Sequence, residues 1–372
     1  MTILRTNTIS GVGTDGPIFD GDLEFNSQNY VILPKGTTGD RVGVGSTTGA
    51  LRYNTDSNKV ELYDGNQWVE VQSSRPDLNG GARGVFGGGL SPTVTNVVQY
   101  VTISSTGNAI DFGDLQSPTY SQASASSSTR GLFGGGNTSP ADTNRIDYIT
   151  ISSTGNAPDF GDLTRAHRNL GGCSNSTRGL FSGGYSAPTA VNIIDYVTIA
   201  SQGVNAQDFG DLQGISEPNT GATASSTRGI IVAGLSPTTV TNRIDFVTIS
   251  TLGNAADFGD VTVGRQAPVA ISSVVRGVIA GGNTPSITNV IDYITIATLG
   301  NAADFGDLSA AKASLTGCSS STRGVFGGGY TPTVTNVIEY ITILSTGNAI
   351  DFGDLISPTT RFAACSNAHG GL

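Results

Sequence analysis

Asp-Phe-Gly-Asp stands six times in this chain, at 111–114, 159–162, 208–211, 257–260, 304–307 and 351–354. Two carboxylates across a Phe-Gly step suit a calcium ion or a magnesium-held phosphate. Phosphoryl transfer would also need a glycine-rich nucleotide loop, a partner lysine and a catalytic loop, and six copies make no sense for one reaction centre. The repetition predicts a structural role instead. Glycine would bend an outer strand into a bulge while aspartate caps backbone N–H groups. Calcium at an exposed carboxylate pair is the alternative.

The other reactive side chains are few. Cys173, Cys318 and Cys365 occupy one slot in three repeats, and Ala125, Thr223 and Ile271 fill it in the others. That series reads as a buried side chain rather than a thiol site. The chain has two histidines, and neither accompanies these cysteines at ligand spacing, so no metal site is expected. His167, in Thr164-Arg-Ala-His-Arg168, has no nucleophile at a recognisable spacing. The Gly-Gly-Gly runs precede no helix and are not phosphate loops. The sequence therefore predicts no catalytic residue, no cofactor and no enzyme.

These words are carried by a repeat. Arg83, Arg130, Arg178, Arg228, Arg276 and Arg323 are each followed by glycine, at spacings of 47, 48, 50, 48 and 47. A small-residue strand such as Leu170-Gly-Gly-Cys-Ser-Asn175 suits a crowded axis. Arg323-Gly-Val-Phe-Gly-Gly-Gly329 is an apolar run closed by glycines. Val337-Ile-Glu-Tyr-Ile-Thr-Ile343 has strand composition, and its near-continuous apolar character suits a sheet covered on both faces. Ser345-Thr-Gly-Asn348 predicts a tight hairpin, and Ala349-Ile-Asp-Phe-Gly-Asp-Leu355 the outer strand. The arginine is expected to lay its stem on the neighbouring unit and bond carbonyls there. Such a repeat predicts an all-β, six-bladed β-propeller. Residues 362–372 align without a gap to 170–180, so the C-terminus should supply the strand missing from the first blade and close the ring.

The pattern resembles the kelch repeat over about residues 83–372. The paired glycines Gly135-Gly136, Gly183-Gly184, Gly281-Gly282 and Gly328-Gly329 sit where kelch blades end their second strand. Tyr100, Tyr148, Tyr196, Tyr293 and Tyr340 match the kelch tyrosine, with Phe246 once in its place. The family's tryptophan is absent. Phe112, Phe160, Phe209, Phe258, Phe305 and Phe352 are the nearest candidates, farther from the tyrosine. The resemblance implies a kelch-like fold; kelch propellers serve as adaptors, sugar binders and oxidases.

Loops joining strands two to three and four to one leave a propeller on one face. The four-to-one loops differ most between repeats, as in Gln116-Ser-Pro-Thr-Tyr120, Gln213-Gly-Ile-Ser-Glu-Pro218 and Ser357-Pro-Thr-Thr-Arg361. Variation on a rigid frame is where recognition is placed; relaxed drift of unconstrained loops is the competing reading. Tyr120, Arg165, His167, Arg168, Tyr185, Arg265, Tyr330 and Arg361 are the candidate binding residues, since aromatic and arginine side chains stack on sugar rings and bond their hydroxyls.

Residues 1–78 do not repeat. In Gly49-Ala-Leu-Arg-Tyr-Asn-Thr-Asp-Ser-Asn-Lys-Val-Glu-Leu-Tyr-Asp-Gly-Asn-Gln-Trp68, a two-stranded hairpin is expected. Leu51 and Tyr53 lie on one strand, Asp56-Ser-Asn58 in the turn, Val60, Leu62 and Tyr63 on the return, with Trp68 closing it. Over roughly residues 1–72 this segment resembles a leader of tailed-phage fibre and virion structural proteins, notably of phages of marine cyanobacteria. Thr6-Asn-Thr-Ile-Ser10 and Leu23-Glu-Phe-Asn26 match the same leader. The resemblance implies attachment to other virion proteins through residues 1–78 and a fibre or homotrimeric stalk, where a segment with little core shares one across chains.

Composition narrows the rest. Only 13% of the chain is charged and its net charge is −10, which argues against nucleic-acid binding. No run of 18 apolar residues predicts a membrane span, and the start lacks the apolar stretch of an export signal. The expectation is a non-enzymatic virion protein, made in the host cytoplasm, with residues 79–372 displayed to adhere to a host-surface glycan or protein or to decorate the particle. A bacterial kelch-type lectin or adaptor is the alternative. An oxidase-type kelch enzyme is the third, poorly served by two histidines as copper ligands.

Overall fold

In the computed structural model, residues 33–41, 48–57, 59–71, 82–215, 221–232, 234–236 and 239–372 are described. The leader words at 6–10 and 23–26, Asn58, and Ser216-Glu-Pro218 lie outside them. The chain divides into two units, Met1–Arg75 and Pro76–Leu372.

The described part of the first unit is a four-stranded sheet. Leu51–Asn54 and Lys59–Tyr63 form the expected hairpin. Trp68 does not merely close it: Trp68–Glu70 is a third antiparallel strand, and Lys35–Gly36 adds a parallel fourth. The added strands, only three and two residues long, are too short to leave a pattern in the sequence. Polar groups fill the interior. Glu61 is buried and takes Arg41 and the amide of Asn54, bonds that hold its carboxyl below the usual range. The Tyr63 and Trp68 rings meet at a tilt of 49° with centroids 5.4 Å apart, and Arg52 lies 5.6 Å over Trp68.

The second unit is all-β and β-propeller-like. Its described residues form six four-stranded antiparallel sheets, spanning 83–114, 123–162, 171–211, 221–260, 269–307 and 316–354. Each reads from the axis outward in the order the repeat predicts. The inner strands are Ala123–Ser126, Gly171–Ser174, Gly221–Ala224, Val269–Ser272, Thr316–Ser319 and Ala363–Ser366. The last comes from the C-terminus and pairs with Arg83–Gly87, completing the first sheet.

The outer strand carries the bulge. Val98 pairs with Gly113 and Gln99 with Asp111, so Phe112 is the extra residue, and its ring turns into the core. Tyr100 meets that ring edge-on at 6.0 Å, and Arg83 lies 4.7 Å above Tyr100. The same trio recurs in every sheet, with Phe246 once in the tyrosine's place.

Bonds between sheets follow the same repetition. The arginine before each glycine reaches the next sheet: Arg130 Nη1 donates to the Ile199 carbonyl at 2.6 Å, and Arg323 Nη1 to Ile103 at 2.9 Å, across the join of sixth to first. The Ser-Thr-Gly-Asn turn is not the expected tight hairpin. It reaches back to the preceding sheet, where Gly155 N donates to Phe112 O, Ala157 N to Asp114 O, and Asn156 Oδ1 accepts from Asp114 N. Gly113 has φ 146°, and a Cβ there would stand 2.4 Å from the Gly155 carbonyl, so the bulge glycine is also the contact point between sheets. Gly107 N to Phe352 O and Ala109 N to Asp354 O complete the circuit.

Candidate functional site

The two loop sets meet on one face, as the repeat order requires. Backbone bridges join the four-to-one loop of one sheet to the two-to-three loop of the next: Tyr120 with Asn137, Arg168 with Tyr185, Gln266 with Asn283, Ala313 with Tyr330 and Thr360 with Leu90. Just before the inner strands, Ser121, Asn169, Ala267, Ser314 and Arg361 hold φ values of 53–63°. Non-glycine residues occupy this region at a cost of roughly 1–2 kcal/mol each. They are held by a head-to-tail run of backbone bonds around the axis: Ser121 N to Arg361 O, Asn169 N to Ser121 O, Ser314 N to Ala267 O and Arg361 N to Ser314 O.

The eight candidate binding residues divide. Arg165, Tyr330 and Arg361 are exposed on the loop face, and Tyr330 leaves 45% of its surface free. Tyr120, Arg168 and Tyr185 are half-buried. Arg168 bonds Asp142 at 2.6 Å and lies 4.7 Å over the Tyr185 ring, so these two form one rigid, partly accessible unit. His167 and Arg265 are a correction. Both have 0% exposure and offer no surface to a ligand.

The reason for their burial is a recurring socket between sheets. Thr119, His167, Arg265, Lys312 and Thr359 occupy one loop position, and all are buried. Opposite stands the third-strand residue that precedes the tyrosine position: Gln99, Asp147, Asp195, Asp245, Asp292 or Glu339. Each accepts a backbone N–H from the preceding sheet, as Asp147 does from Gln116 and Gln99 from Ile356. A cation beside a buried carboxylate comes from the loop position in two sockets, Arg265 to Asp292 at 2.6 Å and Lys312 to Glu339. In two others it comes from the strand, Arg145 to Asp147 and Arg243 to Asp245. Where neither source exists the residue is either the uncharged amide Gln99 or Asp195, which takes the amide and hydroxyl of Thr164. Burial raises Asp147, Asp195 and Asp245. It lowers His167 to about 4, so its ring is neutral and Nδ1 donates to Gly183 O. The signal for these sockets was present as an Asp, Glu or Gln before the tyrosine position in every repeat.

Inside the ring, a narrow tunnel runs between the six inner strands. Its cavity is about 100 Å³ where those strands begin and about 50 Å³ where they end. Serine hydroxyls at the far end donate from sheet to sheet: Ser126 to Ser366, Ser366 to Ser319, Ser319 to Ser272, Ser272 to Ala224 and Ser174 to Ser126. The C-terminal tail closes that end. His369 Nε2 donates to Ser126 O and Nδ1 accepts from Gly371 N, while Gly370 N donates to Ser272 O. The three cysteines are free and buried, and burial pushes the thiols of Cys173 and Cys365 up to about 12. Thiols so held are not nucleophiles.

Among the described residues, no three His, Cys, Asp or Glu side chains converge as a metal's ligands would. No helix there is long and apolar enough to cross a membrane. No protein-family model and no curated protein sequence matches the chain.

Proposed function

We propose that this chain is a non-enzymatic structural protein of a tailed-phage virion, displaying a six-bladed kelch-like propeller for adhesion to a host surface. Residues 1–78 attach it to other virion proteins, as the fibre-type leader implies. The observation that supports this best is a division of labour within the repeat. Arginine, bulge glycine, turn asparagine and socket acid or amide serve the joins between sheets. The loop face instead carries residues that differ from repeat to repeat, among them Arg165, Tyr330 and Arg361. Rigid elements that present variable exposed side chains suit recognition by many weak contacts.

The test is adsorption. Purified full-length chain should bind cells of the particle's host and compete with particles for them. The triple variant Arg165→Ala, Tyr330→Ala, Arg361→Ala should fold normally and lose at least roughly tenfold in binding. Unchanged binding would assign the propeller to passive decoration. Absence of the protein from purified particles would favour a bacterial kelch-type lectin or adaptor.

A further inference from the structure

We propose that the tail segment 367–372 is an acid-released strap across the far end of the axial tunnel, with His369 as its latch. The first observation is the path of the strap. Ala363–Ser366 belongs to the first sheet, but the residues after it reach three others. His369 Nε2 donates to Ser126 O of the second sheet at 3.0 Å, and Gly370 N to Ser272 O of the fifth at 3.1 Å. Gly371 lies against the third, where a Cβ would stand 1.9 Å from the Ser174 carbonyl. At Gly370 a Cβ would stand 2.2 Å from the Ser273 carbonyl. Two glycines thus let the strap lie directly on the backbone of separate sheets. His369 itself lines the cavity of about 50 Å³ at that end.

The second observation is the protonation state that these bonds demand. A carbonyl oxygen only accepts, so the Nε2 bonded to Ser126 O carries a hydrogen. A backbone N–H only donates, so Nδ1, 3.1 Å from Gly371 N, carries none. The latch therefore holds only as the neutral imidazole. A second proton goes to Nδ1 and sets one N–H against another, which breaks the bond that fixes Gly371.

The third observation is what surrounds the ring. Ser126 O, the Ser174 hydroxyl at 3.3 Å and Gly371 N face it. The titratable side chains on the cavity wall besides His369 are Cys173, Cys318 and Cys365, thiols that burial keeps neutral. Among the described residues, that wall carries no Asp, Glu, Lys or Arg. Leu372, with its α-carboxylate, engages His369 through the backbone, N to O at 3.1 Å. An imidazolium formed here has no carboxylate side chain to pair with, so protonation expels it. The released ring titrates near 6.5 and the tucked ring near 4, because burial opposes the charge. The tucked strap is thus fully favoured above pH 6.5. Below that it loses roughly tenfold per pH unit, up to roughly 300-fold by pH 4. Release opens the narrow end of the tunnel.

The strap is independent of what the loop face binds. Hydrogen exchange of the full-length chain between pH 7 and 4 tests it, read by mass spectrometry on peptides and corrected for the intrinsic pH dependence of exchange. Gly370, Gly371 and Leu372 each donate a backbone N–H within the tucked strap. Their protection should fall at least roughly tenfold from pH 7 to pH 4. Peptides of the inner strands Ala123–Ser126 and Gly171–Ser174 should stay protected over the same range. In the His369→Gln variant the strap's protection, whatever its level, should no longer change with pH. Constant protection of the wild-type strap down to pH 4 would overturn the proposal. So would its loss together with the inner strands, which would make the tail one cooperative unit with the ring. An acid response that His369→Gln leaves intact would overturn it as well, since the imidazole would then not be the latch.

Discussion

Gly84 shows how one absent methyl group sets the distance between sheets. A Cβ there would stand 2.3 Å from Cys318 Sγ on the inner strand of the neighbouring sheet. The same fit joins Gly131 to Cys365 and Gly179 to Ala125, at 2.6 and 2.9 Å. Gly84→Ala should therefore cost about 1–3 kcal/mol through overpacking. Cys318→Ala alone should cost about 1 kcal/mol, and the double variant less than the sum, because the alanine methyl enters the space that Sγ leaves. Urea unfolding of the four proteins measures this; additive losses would show that the two residues do not share that space. The sequence displayed the cysteine slot and the Arg-Gly pair separately. Their partnership was not legible, because it joins different repeats at a separation that no local pattern marks. His167 and Arg265 were misplaced for a similar reason. Their polarity suggests a surface, but the groups they bond when buried, the Gly183 carbonyl and the Asp292 carboxylate, lie in the next repeat.

At the scale of elements, strand order and the outer-strand bulge follow directly from composition. Small residues crowd the axis, β-branched runs fill the doubly covered third strand, and Phe-Gly breaks the fourth. Glycine and asparagine favour turns, so the sequence predicts a tight hairpin between third and fourth strands. Here Asn156 and its equivalents serve the preceding sheet instead, and only the folded ring reveals that partner. The C-terminal tail adds a pH dependence. Burial lowers His369 to about 4, and its neutral ring is fixed by a donor bond to Ser126 and an acceptor bond from Gly371. The unfolded chain takes up this proton near 6.5 and the folded chain only near 4. Stability is thus full above about 6.5 and falls as pH drops towards 4, by up to about 3 kcal/mol for this residue. Asp147, Asp195 and Asp245, raised by burial, act in the opposite sense as pH falls through their folded values. Replacing His369 by glutamine should reduce the loss between pH 6.5 and 4, leaving the share of His167, which burial lowers to the same value, as chemical denaturation at several pH values would show. An unaltered slope would show that the imidazole is not held neutral by its burial.

For the whole molecule, the frame has a circular logic: each sheet supplies an arginine, an acid or amide and a turn to its neighbours, and none of these bonds can be completed at an open edge. The final four-residue strand, Ala363–Ser366, therefore carries more than its own pairing. Without it, Arg83–Gly87 becomes an exposed edge, Gly131 loses Cys365, and the serine bonds to and from Ser366 disappear. The most direct test of this account is the melting temperature of the chain lacking residues 363–372, compared with the full chain. Loss of several kcal/mol should lower it by at least about 10 °C and broaden the transition. A truncated chain that melts within a degree or two of the intact one would contradict closure of the ring by its own C-terminus.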